Sequence, residues 1–195
     1  MKLYQNANSG NAYKVRLLLE LLNVPYEKAN LDMANKEHKQ PKYLAINPRG
    51  QIPSLEDDGH TYWDSTACLV YIARKHGGEK WLPTDAHGMA EVTQWLALSN
   101  NEIHYGLQWA RGVKNKIRGG NIEEYQGYGK TGLAVLEGRL KGNEWLACGR
   151  PTIADVACYP YVSLSPEGGF DLAEYPAVQA WLKRIEALPG WAKRV

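Results

Sequence analysis

Two short polar segments stand directly before predicted helices, where a helix end could hold a charged ligand. Ser9 precedes the first of these helices, and its hydroxyl would lie beside backbone N–H groups and the positive end of the helix dipole, which stabilise an anion. Asp64 and Ser65 precede another helix, where the carboxylate could take an ammonium group while the serine and the helix end take a carboxylate. Taken singly, both segments also have the pattern of an ordinary helix cap, which Ser9 or Asn11 would provide for the first helix.

A third segment with potential chemistry is Gln51-Ile52-Pro53, which follows a tight turn and opens a strand. An Xaa-Pro bond in such a place is a candidate for the cis isomer, which would present the backbone N–H and C=O of Ile52 to a ligand. The alternative is an ordinary edge strand that begins with proline. His38 and Lys39 add two candidate cations on an irregular stretch, although a solvated surface is the default for such a pair.

The second half of the chain carries one clear motif and one basic cluster. Within residues 151–156, Thr152 and Asp155 have the spacing of a capping box, so we assign Asp155 a structural role at the start of a buried helix. The basic cluster over residues 111–118 has little aromatic interleaving, and such a cluster is more often a solvated helix end than a nucleic-acid site.

The elements that would position these residues alternate between strand and helix patterns up to residue 80. Residues 2–4 form a short strand candidate, and the apolar residues from Val15 to Leu22 recur with the spacing of one helix face. Val24-Pro25 ends that helix, and residues 26–31 can follow as an extended segment. This order predicts a βαβ unit.

The next segments predict a second set of elements on the same sheet. A short, irregular helical stretch over residues 36–45 ends at a strong turn signal. Two strand candidates, residues 52–56 and 61–63, flank Asp57-Asp58-Gly59, which predicts a β-hairpin. Residues 65–76 return to helical spacing. The whole order is a small mixed sheet with helices packed against it.

Beyond residue 80 the chain shows helical patterns and no convincing strand. Candidate helices cover residues 90–108, 122–140 and 177–187. We therefore predict an α/β domain over residues 1–80, a linker over residues 81–86 and an all-helical domain over residues 87–195.

Composition excludes several classes of protein. The 195 residues include 23 Lys and Arg against 21 Asp and Glu, and the formal charge of +2 is too balanced for a protein that mainly coats nucleic acid or an anionic membrane. No stretch approaches the ~18 apolar residues of a transmembrane helix, and the first residues lack the apolar core of a signal peptide. The three cysteines form no CxxC pair and the histidines form no HExxH motif. We expect a cytoplasmic protein without disulfides or a metal site.

Taken in this order, these pieces resemble a cytosolic-type glutathione S-transferase, bacterial-like and with a serine-type active site. The resemblance covers essentially the whole chain and is most specific in HKQPKYLAINPRGQIPSLED, which WDSTACLVYIA follows shortly afterwards. The TIAD capping box in the helical half adds to it. The resemblance implies a thioredoxin-like N-terminal domain of βαβαββα order, an all-α C-terminal domain, and glutathione as co-substrate with no metal.

The resemblance also implies a catalytic role for Ser9. This residue stands five positions before Lys14-Val15, as the family's catalytic serine does, and its hydroxyl would donate a hydrogen bond to the glutathione sulfur. Asn11 is the neighbouring catalytic candidate, and Tyr4 is a further alternative should Ser9 not be the donor.

The same resemblance implies a set of glutathione-binding residues. Ile52 would pair its backbone with the cysteinyl part, while Asp64 and Ser65 would hold the γ-glutamyl end. Lys39, assisted by His38 or Gln51, would bind the glycine carboxylate. The implied binding residues are His38, Lys39, Gln51, Ile52, Pro53, Asp64 and Ser65.

One departure from the family narrows the expected chemistry. Members that form mixed disulfides with glutathione carry a cysteine around residues 9–12, and this chain has none there. Gly10-Asn11 also stands where the maleylacetoacetate isomerase branch has Ser-Cys. Thiol–disulfide chemistry through a protein cysteine and maleylacetoacetate isomerase activity are therefore both less expected for this chain.

The implied reaction is conjugation of the glutathione thiolate to a small apolar electrophile, as in detoxification. The electrophile would sit between the domains, and Tyr105 and Trp109, four residues apart on one helix face, are candidates for its wall. Their alternative role is ordinary core or dimer-interface packing. A peroxidase or dehalogenase reaction would use the same thiolate, and a member that binds glutathione or a protein without catalysis is a third class. We expect a homodimer, as is usual for the family, with neither nucleic acid nor a membrane as partner.

Overall fold

The computed structural model describes residues 1–194. These residues form two compact units. The first comprises Met1–Gly78 together with the C-terminal segment that begins at Pro189, and the second comprises Glu79–Leu188.

The first unit contains a four-stranded mixed sheet in the order β2-β1-β3-β4. Its strands are Lys2–Gln5 (β1), Glu27–Asn30 (β2), Ser54–Asp57 (β3) and His60–Trp63 (β4). β1 runs parallel to β2 and antiparallel to β3, which is antiparallel to β4. The predicted mixed sheet is confirmed.

The turn between β3 and β4 follows from its two residues. Asp58 and Gly59 both have positive φ, 49° and 76°. A two-residue turn of this hand matches the right-handed twist of the strands that it joins, which is why an Asp-Gly pair is typical of such hairpins. The predicted hairpin is therefore present.

Helices pack against this sheet at the predicted places. They are α1 (Gly10–Leu21), the short α2 (Pro41–Leu44), which follows a 3-10 turn (Glu37–Lys39), and α3 (Ser65–Ile72). A π-helical turn over Ala73–Gly77 prolongs α3. In α1 the consecutive leucines at positions 17–19 are fully buried, so this helix supplies much of the core.

The C-terminal segment, predicted as part of the helical domain, packs in the first unit. The Tyr13 hydroxyl of α1 donates a hydrogen bond to the Ala192 carbonyl at 2.8 Å. A Cβ atom at Gly190 would lie 2.6 Å from the Glu20 carbonyl oxygen, so the two backbones run in close contact. Sequence periodicity cannot show such a contact, because the partners are far apart along the chain.

The second unit is helical, and the described residues after Trp63 contain no strand. A short helix, α4 (Gly78–Trp81), leads into it. Its further helices are α5 (Ala86–Leu98), α6 (Trp109–Lys114), α7 (Ile122–Leu140), α8 (Ile153–Ser163) and α9 (Pro176–Glu186). The predicted all-helical character of this half is confirmed.

Two predicted boundaries in this unit differ from the structure. The helix predicted over residues 90–108 begins earlier, at Ala86, because Asp85 caps it by accepting the Gly88 N–H at 2.9 Å. It also runs on through a π-helical segment (Ser99–Gln108) into α6. In the predicted linker, Trp81, Leu82 and Pro83 are buried.

The capping box of α8 is present as predicted. Thr152 accepts the Ala154 N–H at 3.2 Å, and Asp155 accepts the Thr152 N–H at 3.0 Å. The Asp155 carboxylate is buried and also accepts bonds from Leu146 N–H at 3.1 Å and from the Trp181 indole at 2.9 Å. Asp155 therefore joins three segments of the second unit.

Several classes of feature are absent from residues 1–194. None of the helices combines the length and the apolar character that crossing a lipid bilayer requires. Within the same residues, no three His, Cys, Asp or Glu side chains group closely enough to hold a metal ion. No disulfide joins the three cysteines.

Candidate functional site

The register of the sheet brings the three predicted ligand-binding segments to one edge. β1 ends at Gln5, just before the loop that leads to Ser9. Ser54, the first residue of β3, pairs with Tyr4 near that end of β1 and with Trp63, the last residue of β4. Three segments therefore meet the sheet at this edge. They are the loop over residues 6–9, which we call the serine loop, the segment before β3 and the segment after β4.

Ser9 caps the N-terminus of α1. Its Oγ accepts a hydrogen bond from the Ala12 N–H at 3.2 Å, and its carbonyl accepts the Tyr13 N–H at 2.9 Å. Because Oγ accepts from the helix, the hydroxyl proton can be donated outward to a ligand. The Ser9 side chain is partly exposed, so a ligand can reach it.

Asn11 lies on the first turn of α1, two residues after Ser9, and is also partly exposed. The N–H groups of Gly10 and Asn11 belong to the part of a helix that has no acceptor of its own. Together with the helix dipole they favour an anion in front of Ser9. The backbone N–H groups of Gly10 and Asn11 are therefore available to an anion at this position.

Two arginines that the sequence analysis missed hold the loop before Ser9. Arg16 donates to the Ala7 carbonyl at 3.3 Å, and Arg194 donates to the Asn8 carbonyl at 3.5 Å. Arg16 stands close to the loop in sequence, but its burial inside α1 gives no sequence signal for this role. Arg194 lies at the other end of the chain, so only the tertiary structure reveals it.

The Ile52–Pro53 peptide bond is cis, as predicted. The preceding carbonyl, that of Gln51, accepts hydrogen bonds from the Tyr43 hydroxyl and the Asn47 amide, both at 2.7 Å. Tyr43 and Asn47 are buried, so their hydrogen bonds hold the Gln51 carbonyl from the interior of the first unit. The Ile52 residue itself remains partly exposed, with its backbone at the edge where β3 begins.

Asp64 caps α3 from an uncommon backbone conformation, with φ of 77°. One carboxylate oxygen accepts the Thr66 N–H at 2.9 Å, and the other accepts from Arg49 at 3.1 Å. Ser65, the first residue of α3, is buried. A non-glycine residue at positive φ costs energy and often marks a functional position. Arg49 was missed as a site residue, although its turn was recognised.

His38 and Lys39 lie on the 3-10 turn beside the same loop. Lys39 donates to the Arg49 carbonyl at 3.2 Å. Burial, followed by the charges of Lys39 and Lys36, holds the pKa of His38 below its usual range and so disfavours the charged imidazole. Its Nδ1 is buried with no hydrogen-bond partner among the described residues.

Tyr4 is engaged elsewhere and does not suit the role of thiolate donor. Its hydroxyl donates to the Glu56 carboxylate at 2.9 Å. Burial and this neighbouring carboxylate raise the pKa of Tyr4 to about 12. The register of β1 and β3 explains the pairing, because it places the two side chains on neighbouring strands.

Two of the three cysteines have environments that make their thiols poor nucleophiles. Burial raises the pKa of the Cys68 thiol to about 12. Burial and the Glu91 carboxylate likewise raise the pKa of Cys148. A raised pKa keeps the thiol protonated and poorly nucleophilic.

Tyr105 and Trp109, the predicted wall for an electrophile, lie next to each other in the second unit. Their ring centroids are 4.6 Å apart with the planes at 73°, an edge-to-face contact. Both rings line a cavity of about 490 Å³.

Both halves of the chain match models of one protein family. Residues 1–74 match the model described as Glutathione S-transferase, N-terminal domain. Residues 129–189 match the model described as Glutathione S-transferase, C-terminal domain.

Whole-chain relatives agree with these matches. The chain is 30% identical to Glutathione S-transferase 1 of Schizosaccharomyces pombe over 210 residues, which cover 96% of this chain and 92% of that protein. It is also 30% identical to Disulfide-bond oxidoreductase YfcG of Escherichia coli over 205 residues, covering 94% of this chain and 89% of that protein. The structure of a possible glutathione S-transferase from Rhodopseudomonas palustris superposes with a TM-score of 0.92 at 36% identity, covering 99% of this chain and 97% of that one.

Proposed function

The chain belongs to the glutathione S-transferase family, and on this premise we propose that it conjugates the thiol of glutathione to small apolar electrophiles. We assign it to the bacterial-like members with a serine-type active site. The observation that carries the assignment is the placement of Ser9 Oγ at the N-terminus of α1, 3.2 Å from the Ala12 N–H. Its hydroxyl proton is thereby left for the glutathione sulfur.

The proposed chemistry begins with ionisation of the thiol. A cysteine-type thiol has a pKa of about 8.5 and is mostly protonated at neutral pH. The Ser9 hydroxyl, with the first-turn N–H groups of Gly10 and Asn11, favours the thiolate, and each unit by which its pKa falls corresponds to about 1.4 kcal/mol.

The thiolate then attacks the electrophilic carbon. A C–S bond forms, the bond to the leaving group breaks, and the leaving group departs with its electron pair while the thiol proton goes to solvent. Catalysis rests on thiolate formation and on proximity. No further acid or base is needed.

Two segments would hold the cysteinyl and the γ-glutamyl parts of glutathione. The Ile52 backbone, fixed by the Pro53 that follows it, pairs with the cysteinyl part. Asp64 binds the ammonium of the γ-glutamyl end, because its two oxygens keep accepting capacity beyond the bonds that they already make. Ser65 and the N-terminus of α3 take the adjoining carboxylate.

The glycine carboxylate of glutathione would lie beside the 3-10 turn. Lys39 supplies the positive charge, and its bond to the Arg49 carbonyl places it over the loop that contains Gln51. Gln51 or His38 assists. Because burial and the neighbouring lysines lower the pKa of His38, its ring would contribute mainly a hydrogen bond. Tyr105 and Trp109 form the wall for the electrophile.

Replacing Ser9 tests this assignment. We expect Ser9→Ala to lower kcat/KM for conjugation by about 100-fold, the effect of losing one donor to a developing anion, while glutathione binding is nearly kept. The ultraviolet thiolate absorbance of bound glutathione, measured against pH, should show a higher thiol pKa than in the wild type.

Two further variants separate activation from helix capping. Ser9→Gly loses the hydroxyl but keeps the cap within a few tenths of a kcal/mol, so it should be as inactive as the alanine variant. Ser9→Thr keeps a hydroxyl and should retain most of the activity. An unchanged thiol pKa in both Ser9→Ala and Ser9→Gly would refute the serine-type assignment.

A second candidate function comes from the relative named a disulfide-bond oxidoreductase. For this chain we propose, as that second candidate, a reaction in which the glutathione thiolate attacks a mixed disulfide of glutathione, so that oxidised glutathione forms and a thiol leaves. Product analysis with a mixed disulfide and with an aryl halide separates the two activities. Since residues 9–12 contain no cysteine, a protein–glutathione mixed disulfide at that loop is not available.

We also propose that the enzyme is a cytoplasmic homodimer, without nucleic acid or a membrane as partner. The dimer is proposed from the family, in which dimers are usual. The balanced formal charge of +2 supports the absence of a nucleic-acid partner. Sedimentation equilibrium tests the dimer directly, and a monomeric mass at micromolar concentration would contradict it.

A further inference from the structure

A cavity in the second unit is walled by aromatic rings and carboxylates. It has a volume of about 490 Å³ and lies between the π-helical segment with α6 on one side and the first turns of α7 on the other. We call it the aromatic cavity. Its rings are those of Tyr105, Trp109, Tyr125 and Tyr128, and its carboxylates are those of Glu102 and Glu124.

The rings of the aromatic cavity pack against one another, yet two of them stay exposed to solvent. Trp109 makes edge-to-face contacts with Tyr105 at 4.6 Å and with Tyr125 at 5.2 Å. Tyr105 and Tyr128 nevertheless leave 44% and 49% of their surfaces exposed. Large aromatic side chains that stay exposed around a cavity typically mark a place for a ligand. The volume suits a molecule of one to three fused rings.

The charges around the cavity favour a cation. Glu102 and Glu124 contribute two negative charges. The cation that faces the same rings is Arg118, whose guanidinium lies 3.5 Å from the Trp109 ring centroid and 5.6 Å from that of Tyr125. Among these three groups the two carboxylates outnumber the one guanidinium, which favours a cationic ligand over an anionic one.

The contact made by Arg118 also demonstrates the chemistry that the rings offer. A guanidinium is a flat, delocalised cation, and it stacks on the face of Trp109. Aromatic faces attract such cations because the ring quadrupole is negative there. A ligand that is flat, aromatic and positively charged would be attracted to the ring faces in the same way. It would also be attracted to the two carboxylates.

We propose that the aromatic cavity receives the electrophile and selects a planar aromatic electrophile that carries a positive charge. This inference rests on the proposed function, in which Tyr105 and Trp109 form the wall for the electrophile. A suitable reaction is attack of the glutathione thiolate on the benzylic carbon of a benzyl chloride with a quaternary ammonium group. The C–S bond forms, the C–Cl bond breaks, and chloride leaves with the electron pair.

Binding of three acridines of one shape tests the charge preference without glutathione. The probes are N-methylacridinium, neutral acridine and acridine-9-carboxylate, titrated into the wild-type protein and followed by fluorescence anisotropy. We expect the cation to bind about tenfold more tightly than the neutral probe, as a cation–π contact with nearby carboxylates provides. The carboxylate should bind most weakly.

Variants locate the binding to the cavity. Trp109→Leu should weaken the binding of all three probes. The double variant Glu102→Gln with Glu124→Gln should keep the binding of neutral acridine and reduce the preference for the cation over the carboxylate. Glu123→Gln is the matched control, because Glu123 is exposed on the same first turn of α7 and does not line the cavity. An equal affinity for the three probes in the wild type would overturn the inference.

Kinetics distinguish this inference from the proposed function. We expect kcat/KM for a para-trimethylammoniomethyl benzyl chloride to exceed that of the para-carboxylate by about tenfold, and this ratio to fall in the double glutamine variant. Conjugation of uncharged benzyl chloride without any charge preference would overturn the inference and leave the proposed function in place. Failure to conjugate any of the three would refute the proposed function, and the inference with it.

Discussion

The buried carboxylate of Asp155 shows how one residue can both organise the protein and make its stability depend on pH. It accepts hydrogen bonds from the backbone of Thr152 and Leu146 and from the indole of Trp181. These donors favour the ionised form, but burial outweighs them and raises the pKa of Asp155 to about 6. The folded protein therefore holds a proton that the unfolded chain releases at lower pH.

The first prediction follows from that difference in pKa. The free energy of unfolding should fall by about 3 kcal/mol as the pH rises from about 4 to about 6, because an unfolded carboxyl has a pKa of about 3.9. Above that range the contribution stays constant. Urea denaturation of the wild type and of Asp155→Asn at several pH values measures it. The variant should lose this pH dependence and be less stable throughout, since its amide N–H group faces N–H donors.

Asp85 provides a control of opposite sign. The Gly88 N–H lowers the pKa of this exposed cap, so its contribution is present above the unfolded pKa and is lost as the pH falls below it. Asp85→Asn should therefore retain the wild-type fall between about pH 4 and about pH 6. The same slope in Asp155→Asn as in Asp85→Asn would show that Asp155 is not its source.

At the scale of elements, two helices of the second unit approach each other at glycines. A methyl group at Gly106, in the π-helical segment, would overlap the backbone of Gly129 in α7. The small residues let the two helices pack backbone to backbone there. Because the π-helical segment carries Tyr105 and α7 carries Tyr125 and Tyr128, this contact also sets the width of the aromatic cavity.

We expect Gly106→Ala to lower the free energy of unfolding by about 3 kcal/mol, because the overlap is with backbone and cannot be relieved by a side-chain rotation. Gly138→Ala is the matched control, since Gly138 lies in α7 with open space around it. There the change should stabilise the protein by about 1 kcal/mol through helix propensity. Urea denaturation compares the two, and a Gly106→Ala protein as stable as the control would contradict this packing.

The elements themselves were largely predictable, and their ends less so. The Asp58-Gly59 turn and the apolar spacing in α1 act locally, so the sequence alone indicates the hairpin and the helix. The helix predicted to end at residue 108 continues to Lys114, because no capping or breaking residue stops it there. The roles of the side chains at the site depend on the register of the strands. Glu56 accepts a hydrogen bond from the Tyr4 hydroxyl only because β3 lies beside β1.

Long-range partners at the candidate site could not be predicted for a related reason. Arg49 and Arg194 carry no signal in their own surroundings that points to Asp64 or to the Asn8 carbonyl. The lowered pKa of His38 likewise depends on how deeply the fold buries its ring. Residue type and spacing identified the segments that meet, and tertiary contacts decided what each side chain does there.

For the whole molecule, the notable feature is that the first unit is built from both ends of the chain. Its last described residues lie along α1: the backbone at Gly190 contacts that at Glu20, and Ala192 accepts the Tyr13 hydroxyl. Arg194 then reaches the Asn8 carbonyl, next to Ser9. The described part of the C-terminal segment therefore contacts α1 at two places and reaches the serine loop through Arg194.

Displacing this segment should loosen α1 and the serine loop together. In Gly190→Ala the new methyl would meet the Glu20 carbonyl oxygen at 2.6 Å, and the residue would have to keep a φ of 83°. We expect a loss of about 2 kcal/mol in unfolding free energy, together with faster hydrogen exchange in α1 and a lower kcat/KM. Gly59→Ala separates strain from displacement, because Gly59 has a φ of 76° but open space around it. That control should cost about 1 kcal/mol and leave exchange in α1 and kcat/KM unchanged. If both variants behave alike, the contact between the C-terminal segment and α1 contributes nothing beyond backbone strain. The serine loop would then be positioned by Met1–Gly78 without the C-terminal segment.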